Sequence, residues 1–243
     1  MDALILPAVA VFLSAALSFM ALKTRCLTKD GAVASFLTGS FTGVLGSLGA
    51  FALLTLFTVA GFVATKSGMA RKEKCGVVEG AAGERTWKNV AGVGLPPCLV
   101  VALNAAFPMD PTLFAVTFIS TIAVAGADTI ASEIGVRDDR AYLITSLKRV
   151  PPGTNGGVSV LGTTVSTVAS LAIAVIGWVV MGQNLGWIVL APFLSGVVGN
   201  LLDSVFGALL EDRGLMTKYG NNFSTAVIGA AFGAGACFAT GCA

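Results

Sequence analysis

The chain has 243 residues, 55% hydrophobic and 12% charged, with 15 Lys and Arg against 13 Asp and Glu and a mean hydropathy of +0.86. Soluble domains average about 25% charged residues, and a soluble globule of this size has too little interior to hide so much apolar surface. A soluble enzyme, a nucleic-acid binder and a disordered chain are thereby excluded. The absence of histidine removes imidazole as base or metal ligand, and a net charge of +2 is too small to imply a polyanionic partner.

In chain order, an apolar segment near 3–22 begins Met-Asp without a basic flank and reads as a first spanning helix rather than a removed signal peptide. After Lys23, Arg25 and Lys29, the apolar run 31–65 is too long for one span of about 20 residues. Splitting it at Gly46-Ser47-Leu48-Gly49 gives helices two and three. A second charged stretch, 66–88, holds Lys66, Arg71, Lys72, Lys74, Arg85 and Lys88 with Glu73, Glu79 and Glu84; it reads as a solvated linker or as a flap over a nucleotide. Helix four follows near 89–107 and helix five near 112–136. The third basic stretch carries Arg137, Arg140, Lys148 and Arg149, with Asp138-Asp139 as a solvated turn. Helices six (156–181) and seven (186–210) precede Arg213 and Lys218, and helix eight runs near 223–241.

The fold class is therefore all-α, a polytopic membrane bundle of about eight transmembrane helices, with residues 1–243 forming a single integral membrane domain. All fifteen Lys and Arg follow helices one, three, five and seven. The positive-inside rule then puts the basic loops in the cytoplasm and both termini outside. Gly39/Gly43 and Gly229/Gly233 have the GxxxG spacing that lets helices approach closely. The five cysteines form no CxxC pair and read as apolar fillers; Cys237 and Cys242 can pair if their end faces an oxidising side.

Carboxylates inside a membrane span are expensive and mark function. Asp128 and Glu133 lie in helix five and Asp203 in helix seven. Gly196, Asn200, Asp203 and Gly207 share one face of helix seven. Thr121, Ala125, Asp128, Ser132 and Gly135 form a similar stripe on helix five, and Ser159, Thr163, Ser166 and Ser170 one on helix six. Three polar stripes predict a shared hydrated pocket at the basic end. Asp128 and Glu133, five residues apart, stand roughly 140° apart on an ideal helix, so both face one ligand only if the helix is broken between them.

Lys148-Arg-Val-Pro-Pro-Gly-Thr-Asn-Gly-Gly157 supplies an anion site. Thr154 or Asn155 caps helix six, the amides of Gly153 through Gly157 point at a phosphate, and Lys148 and Arg149 add counter-charge. Carboxylates holding Mg²⁺ beside such a loop bind phosphate rather than repel it. Asn221 and Asn222 either extend the site or cap helix eight. There is no Walker A loop, no DDxxD motif and no aspartate spacing of CDP-alcohol phosphotransferases.

Gly126-Ala-Asp-Thr-Ile-Ala-Ser-Glu-Ile-Gly135, the Lys148–Ser159 segment and Gly199-Asn-Leu-Leu-Asp-Ser204 together resemble the domain-of-unknown-function-92 family, which includes the transmembrane protein 19 group and phytyl-phosphate kinases. The chain departs from that pattern at Gly220-Asn221-Asn222, where an Asp-Asn pair is expected. The resemblance implies a kinase of the cell membrane, its active site facing the cytoplasm. It would convert a prenyl monophosphate of phytyl or geranylgeranyl type to the diphosphate with a nucleoside triphosphate, CTP or ATP. In that scheme Asp128, Lys148 and Asp203 are catalytic, and Asp128, Glu133 and Asp203 hold Mg²⁺. Arg149, Gly153, Thr154, Asn155, Gly156, Gly157 and Asn200 bind phosphate or nucleotide. The partners are the isoprenoid phosphate, the nucleotide and the bilayer, with no nucleic acid. Two rivals share the residues: a CTP-dependent nucleotidyltransferase that makes a CDP-lipid, and a cation-coupled transporter.

Overall fold

The breaks between apolar runs are written in capping residues. Thr28, Ser47, Asp110, Ser159 and Thr217 each accept a first-turn backbone N–H of the helix that follows, which satisfies donors that a helix start leaves open. The computed structural model describes residues 2–76, 78, 83–184 and 186–242; Glu79 and its neighbours in the second basic stretch, apart from 78, lie outside them. Its helices are α1 (Asp2–Lys23), α2 (Lys29–Leu45), α3 (Leu48–Cys75), α4 (Trp87–Ala106), α5 (Pro111–Gly135), α6 (Val160–Val180), α7 (Leu190–Phe206) and α8 (Lys218–Thr240). The break expected at 46–49 is where α2 gives way to α3.

Among the described residues, seven helices are long and apolar enough to cross a membrane. The exception, α2, has 17 residues and is about 25 Å long, short of the roughly 30 Å hydrocarbon core. It still runs from end to end of the bundle. At its start Thr28 donates its N–H to Arg85 O at 3.1 Å; just past its end, Gly49 lies against Val180 and Met181 at the far end of α6. The alternation read from charge is thus kept in space. The Leu27–Arg85 bridge, the Arg71–Asp139 ion pair and the Asn155–Asp212 bond tie the basic connections together at one end. At the other, Thr112 meets Gln183 at 3.2 Å and Cys237 is disulfide-bonded to Cys242.

The hub is α5. Buried residues make up 83% of this span, against 22–44% of the others, and α3, α4, α6, α7 and α8 pack around it. Its core partners include Leu53, Trp178 and its own Phe118, Ile119 and Ile122. Small residues set the approach: a Cβ on Gly135 would sit 3.0 Å from Gly162 Cα, and Gly229 and Gly233 of α8 face Val124 and Ser120 of α5. Gly39 and Gly43 of α2 face Ser14 and Ala10 of α1 in the same way. Both GxxxG pairs are therefore helix contacts. The outward faces leave Phe12, Val63, Val168 and Phe238 more than half exposed, as lipid contact requires.

The all-α membrane bundle holds, and two details within it differ from the sequence reading. The third basic connection is not plain loop: β1 (Ala141–Leu143), β2 (Arg149–Val150) and β3 (Gly157–Val158) form a small antiparallel sheet in the order β2-β1-β3, pairing Tyr142 with Arg149 on one side and Val158 on the other. Strands of two or three residues are too short for alternation to register in sequence. Consequently α6 begins at Val160 rather than near 156, because Gly157 is spent in β3 and Ser159 is the cap.

Gly49 and Gly235 give opposite tests of this packing. A Cβ on Gly49 meets the backbone of Val180 and Met181, whereas Gly235 has nothing within 4 Å. Gly49→Ala should destabilise the bundle by about 1–3 kcal/mol, and Gly235→Ala should leave it unchanged or raise it by up to about 1 kcal/mol, read as thermal unfolding in detergent.

Candidate functional site

The polar stripes of α5, α6 and α7 do meet, but only part of their length borders a cavity. Toward the disulfide end they are dry: Thr121 Oγ1 donates to Phe118 O at 2.7 Å, Ser170 Oγ to Phe193 O at 2.7 Å, and Ser195 Oγ to Ser120 Oγ at 3.2 Å. Gly196 closes against Ser170. Lower down, buried Asn200 donates Nδ2–H to Ser166 Oγ at 3.1 Å. Below that bond the helices part, and a cavity of about 180 Å³ opens at the basic end. Asp128, Ser132, Thr163, Asn200, Asp203, Glu211, Lys72, Lys218 and the Gly153–Gly157 turn line it.

Asp128 and Asp203 both line this cavity, close enough for their carboxyl groups to act on each other. The charges acting on the pair are Lys218 and, on Asp128, Arg85, opposed by Glu211. Asp203 Oδ2 is buried and has no hydrogen-bond partner among the described residues. Two carboxyl groups this close either share a proton or, if both are ionised, need a cation between them. Just past Asp203, α7 ends in a π-helical turn, Gly207–Glu211, a widening that recurs at functional sites. Fully buried Asn221 of α8 braces it, donating Nδ2–H to Asp203 O at 2.9 Å and to Glu211 Oε1 at 2.7 Å.

Glu133 is elsewhere. Since α5 is continuous from Pro111 to Gly135, Glu133 points about 140° away from Asp128 and toward α3. It is 4% exposed, accepts Thr65 Oγ1–H at 3.0 Å, and pairs with Lys72 Nζ at 2.8 Å and Arg85 Nη2 at 3.4 Å. Among the described residues no three His, Cys, Asp or Glu side chains gather to hold a metal. Glu133 thus stands apart from the three-acid grouping expected from sequence and forms a strut that joins α5 to α3 and to the segment before α4.

Gly153 through Gly157 reach the cavity, but by another geometry than a bare helix start. Ser159, not Thr154 or Asn155, caps α6. Gly157 spends its N–H on Thr154 O at 2.9 Å, Thr154 Oγ1 donates to Pro151 O at 2.8 Å, and Asn155 Nδ2 reaches Asp212 Oδ1 at 3.3 Å. Gly156, at φ +69°, rests on the π turn, where a Cβ would meet Ser204 O at 2.7 Å and Ala208 N at 2.8 Å; only glycine fits. Asp138 ties this loop to α6: it accepts the N–H of Arg140 at 3.0 Å and of Leu161 at 3.5 Å, bonds that hold its carboxyl below its usual value.

Lys148 and Arg149 are also corrected. Both are exposed on or beside β2, Arg149 Nη2 donates to Asp139 O at 3.4 Å, and neither lines the cavity. The cations that do are Lys72 and Lys218, which sequence reasoning left among topogenic charges. One signal pointed to Lys218, which precedes Asn221 by one helical turn. Asn221 and Asn222 do not cap α8, because Thr217 does; Asn222 borders a second cavity of about 40 Å³ together with Asp128, Glu133, Lys72 and Arg85.

Comparison with known proteins agrees with this architecture. Residues 12–235 match the family described as Integral membrane protein DUF92. An uncharacterised membrane protein of Methanocaldococcus jannaschii is 30% identical over 234 residues, 96% of this chain and 95% of that protein. The chloroplastic protein VTE6 of Arabidopsis thaliana is 34% identical over 195 residues, 77% of this chain and 57% of that protein. An uncharacterised membrane protein of Synechocystis is 36% identical over 172 residues, covering 70% of this chain and 66% of the relative. No solved structure matches significantly.

The two kinds of acid should respond oppositely to neutralisation. Glu133→Ala strands Lys72 and Arg85 and should cost about 3–5 kcal/mol. Asp203→Asn relieves a repulsion and should keep or raise the thermal midpoint, as residues kept for function rather than stability do. Unfolding of both variants in detergent without added cations checks the contrast.

Proposed function

Given that the chain belongs to the DUF92 family of integral membrane proteins, we propose that it is a prenyl-phosphate kinase, transferring the γ-phosphoryl group of CTP or ATP to an isoprenoid monophosphate at the bilayer surface. The observation that carries this is the contact pair Asp128–Asp203 facing a glycine-rich turn across one cavity, with Lys72 and Lys218 in its walls. The resemblance to a family that includes phytyl-phosphate kinases supplies the lipid acceptor.

Mg²⁺ takes one or two carboxylates and completes its shell with substrate phosphate and water. Asp128 and Asp203, the latter with a buried unpartnered oxygen, fit that demand without a third acid. When bound, the ion would neutralise charge on the nucleotide phosphates. The chain's own groups do the remainder. Lys218 and Lys72 add positive charge where phosphates crowd, and the Gly153–Gly157 turn brings backbone close to them. Asn221 and the π turn fix the position of Asp203. A terminal oxygen of the acceptor monophosphate attacks the γ-phosphorus, the bond to the β–γ bridging oxygen breaks, and the nucleoside diphosphate leaves with the electron pair. Phosphoryl transfer asks mainly for positioning and charge stabilisation. The acceptor is already an anion, so no strong base is needed, in keeping with a chain that has no histidine.

The site is assigned to the cytoplasmic face because Lys and Arg gather at its end, with the Cys237–Cys242 disulfide at the opposite one, where an oxidising compartment suits it. A transporter is disfavoured by the dry packing of Ser120, Ser170 and Ser195 above the cavity.

Purified protein with geranylgeranyl monophosphate, γ-labelled CTP or ATP and Mg²⁺ should place label on the lipid; label released as pyrophosphate would instead indicate nucleotidyl transfer. Asp203→Asn should lower transfer by at least about 100-fold, the scale of removing one preorganised electrostatic group. Lys148→Ala, outside the cavity, should stay within about twofold.

A further inference from the structure

A cavity larger than the carboxylate site lies elsewhere in the bundle. It lies among α1, α2, α3 and α4, holds about 510 Å³ and is walled by Leu17, Phe51, Phe57, Phe62 and Val93 among others. That is within the roughly 300–1,000 Å³ of sites that bury a small ligand. Its threonines add little polarity, because Thr24, Thr38 and Thr58 donate their hydroxyls to Met20 O, Ala34 O and Leu54 O of their own helices at 2.8–2.9 Å.

The cavity changes character at one end. There Lys66, Arg85 and Asn89 replace the apolar walls. Arg85, Asn89 and Val93 also line the 40 Å³ cavity, and that space shares Asp128, Ser132, Lys72 and Lys218 with the carboxylate site. An apolar chamber, a basic neck and an acidic, phosphate-sized chamber thus adjoin in sequence. Arg85 sits at the turning point, its Nη2 donating to Thr65 Oγ1 at 3.1 Å and to Glu133 Oε1 at 3.4 Å, so the Glu133 strut sets where this guanidinium stands.

We infer that the α1–α4 cavity seats the hydrocarbon tail of an amphiphile whose phosphate head passes the Arg85–Asn89 neck toward Asp128 and Asp203. Granted the phosphotransfer activity proposed above, this tail is that of the isoprenoid acceptor. The nucleotide then approaches from the other side of the carboxyl pair, past the Gly153–Gly157 turn, and the two substrates meet without sharing an entrance. A chain laid among α1–α4 enters sideways from the bilayer, which suits a ligand that never leaves the membrane. Arg85 and Asn89 make the neck selective, since an apolar chain without an anionic head gains nothing there.

The test is photolabelling in proteoliposomes with a diazirine at the tail end of geranylgeranyl monophosphate, without nucleotide, and adduct mapping by mass spectrometry. Adducts are expected on residues 51–63 and 90–97, competed by unlabelled geranylgeranyl monophosphate but not by geranylgeraniol. Thr55→Trp, which adds bulk to a half-buried wall position, should cut labelling about tenfold, the scale of a steric misfit. Adducts on α6–α8, labelling nowhere, competition by the alcohol or by bulk phospholipid, or indifference to Thr55→Trp in a monodisperse preparation would each overturn the assignment. Labelling requires no turnover. A protein that labels on α3 and α4 yet transfers no phosphate keeps the tail site and loses the kinase; an active protein labelled elsewhere does the reverse.

Discussion

Two carboxyl groups in contact inside a helix bundle repel each other and are desolvated, and packing must hold them where neither would settle alone. Around Asp128 and Asp203 that packing is explicit. Asn221 fastens the backbone of Asp203 and the Glu211 side chain from α8, Asn200 is pinned to Ser166 above, and Gly156 lets the loop lie directly on the π turn below. The strain is meaningful only if something positive or protonated relieves it, and the positive groups that act on Asp128 include Lys218 and Arg85.

The buried helix α5 makes this possible. Its run of Ala, Ser, Thr and Gly is narrow enough for five other helices to surround it, and close approach through small residues substitutes for the hydrophobic driving force that lipid does not provide. A helix in that position presents different sides to different tasks. One side carries Asp128 to α7 and α8, and another carries Glu133 to α3 and Arg85. The same 3.6-residue period turns Asp128 toward Asp203 while Glu133 holds Arg85.

Charge sorting gives the molecule a second layer of order. Basic residues gathered at one end assist topology, but they do not act alike once the chain is folded. Lys72 and Lys218 turn into the cavity, Arg85 and Lys72 are paired with buried Glu133, and Arg149 lies outside on the small sheet. A charge in a basic loop therefore has a topological role by default and a chemical one only if tertiary packing turns it inward.

The sequence alone determined the membrane class, the break between α2 and α3, the close-packing glycine faces at Gly39/Gly43 and Gly229/Gly233, and the acids Asp128 and Asp203 with the Gly153–Gly157 turn as residues of interest. These depend on hydropathy over some twenty residues, on helical period or on residue chemistry, all of which are local. What only the tertiary structure decided was the company each residue keeps. A continuous helix turned Glu133 toward Lys72 and Arg85, and the cavity is lined by Lys72 and Lys218 rather than by Lys148 and Arg149. The sheet at 141–158 had strands too short to show a period. Which side chains converge across four helices depends on rotations and offsets between rods, and no spacing within one segment encodes them.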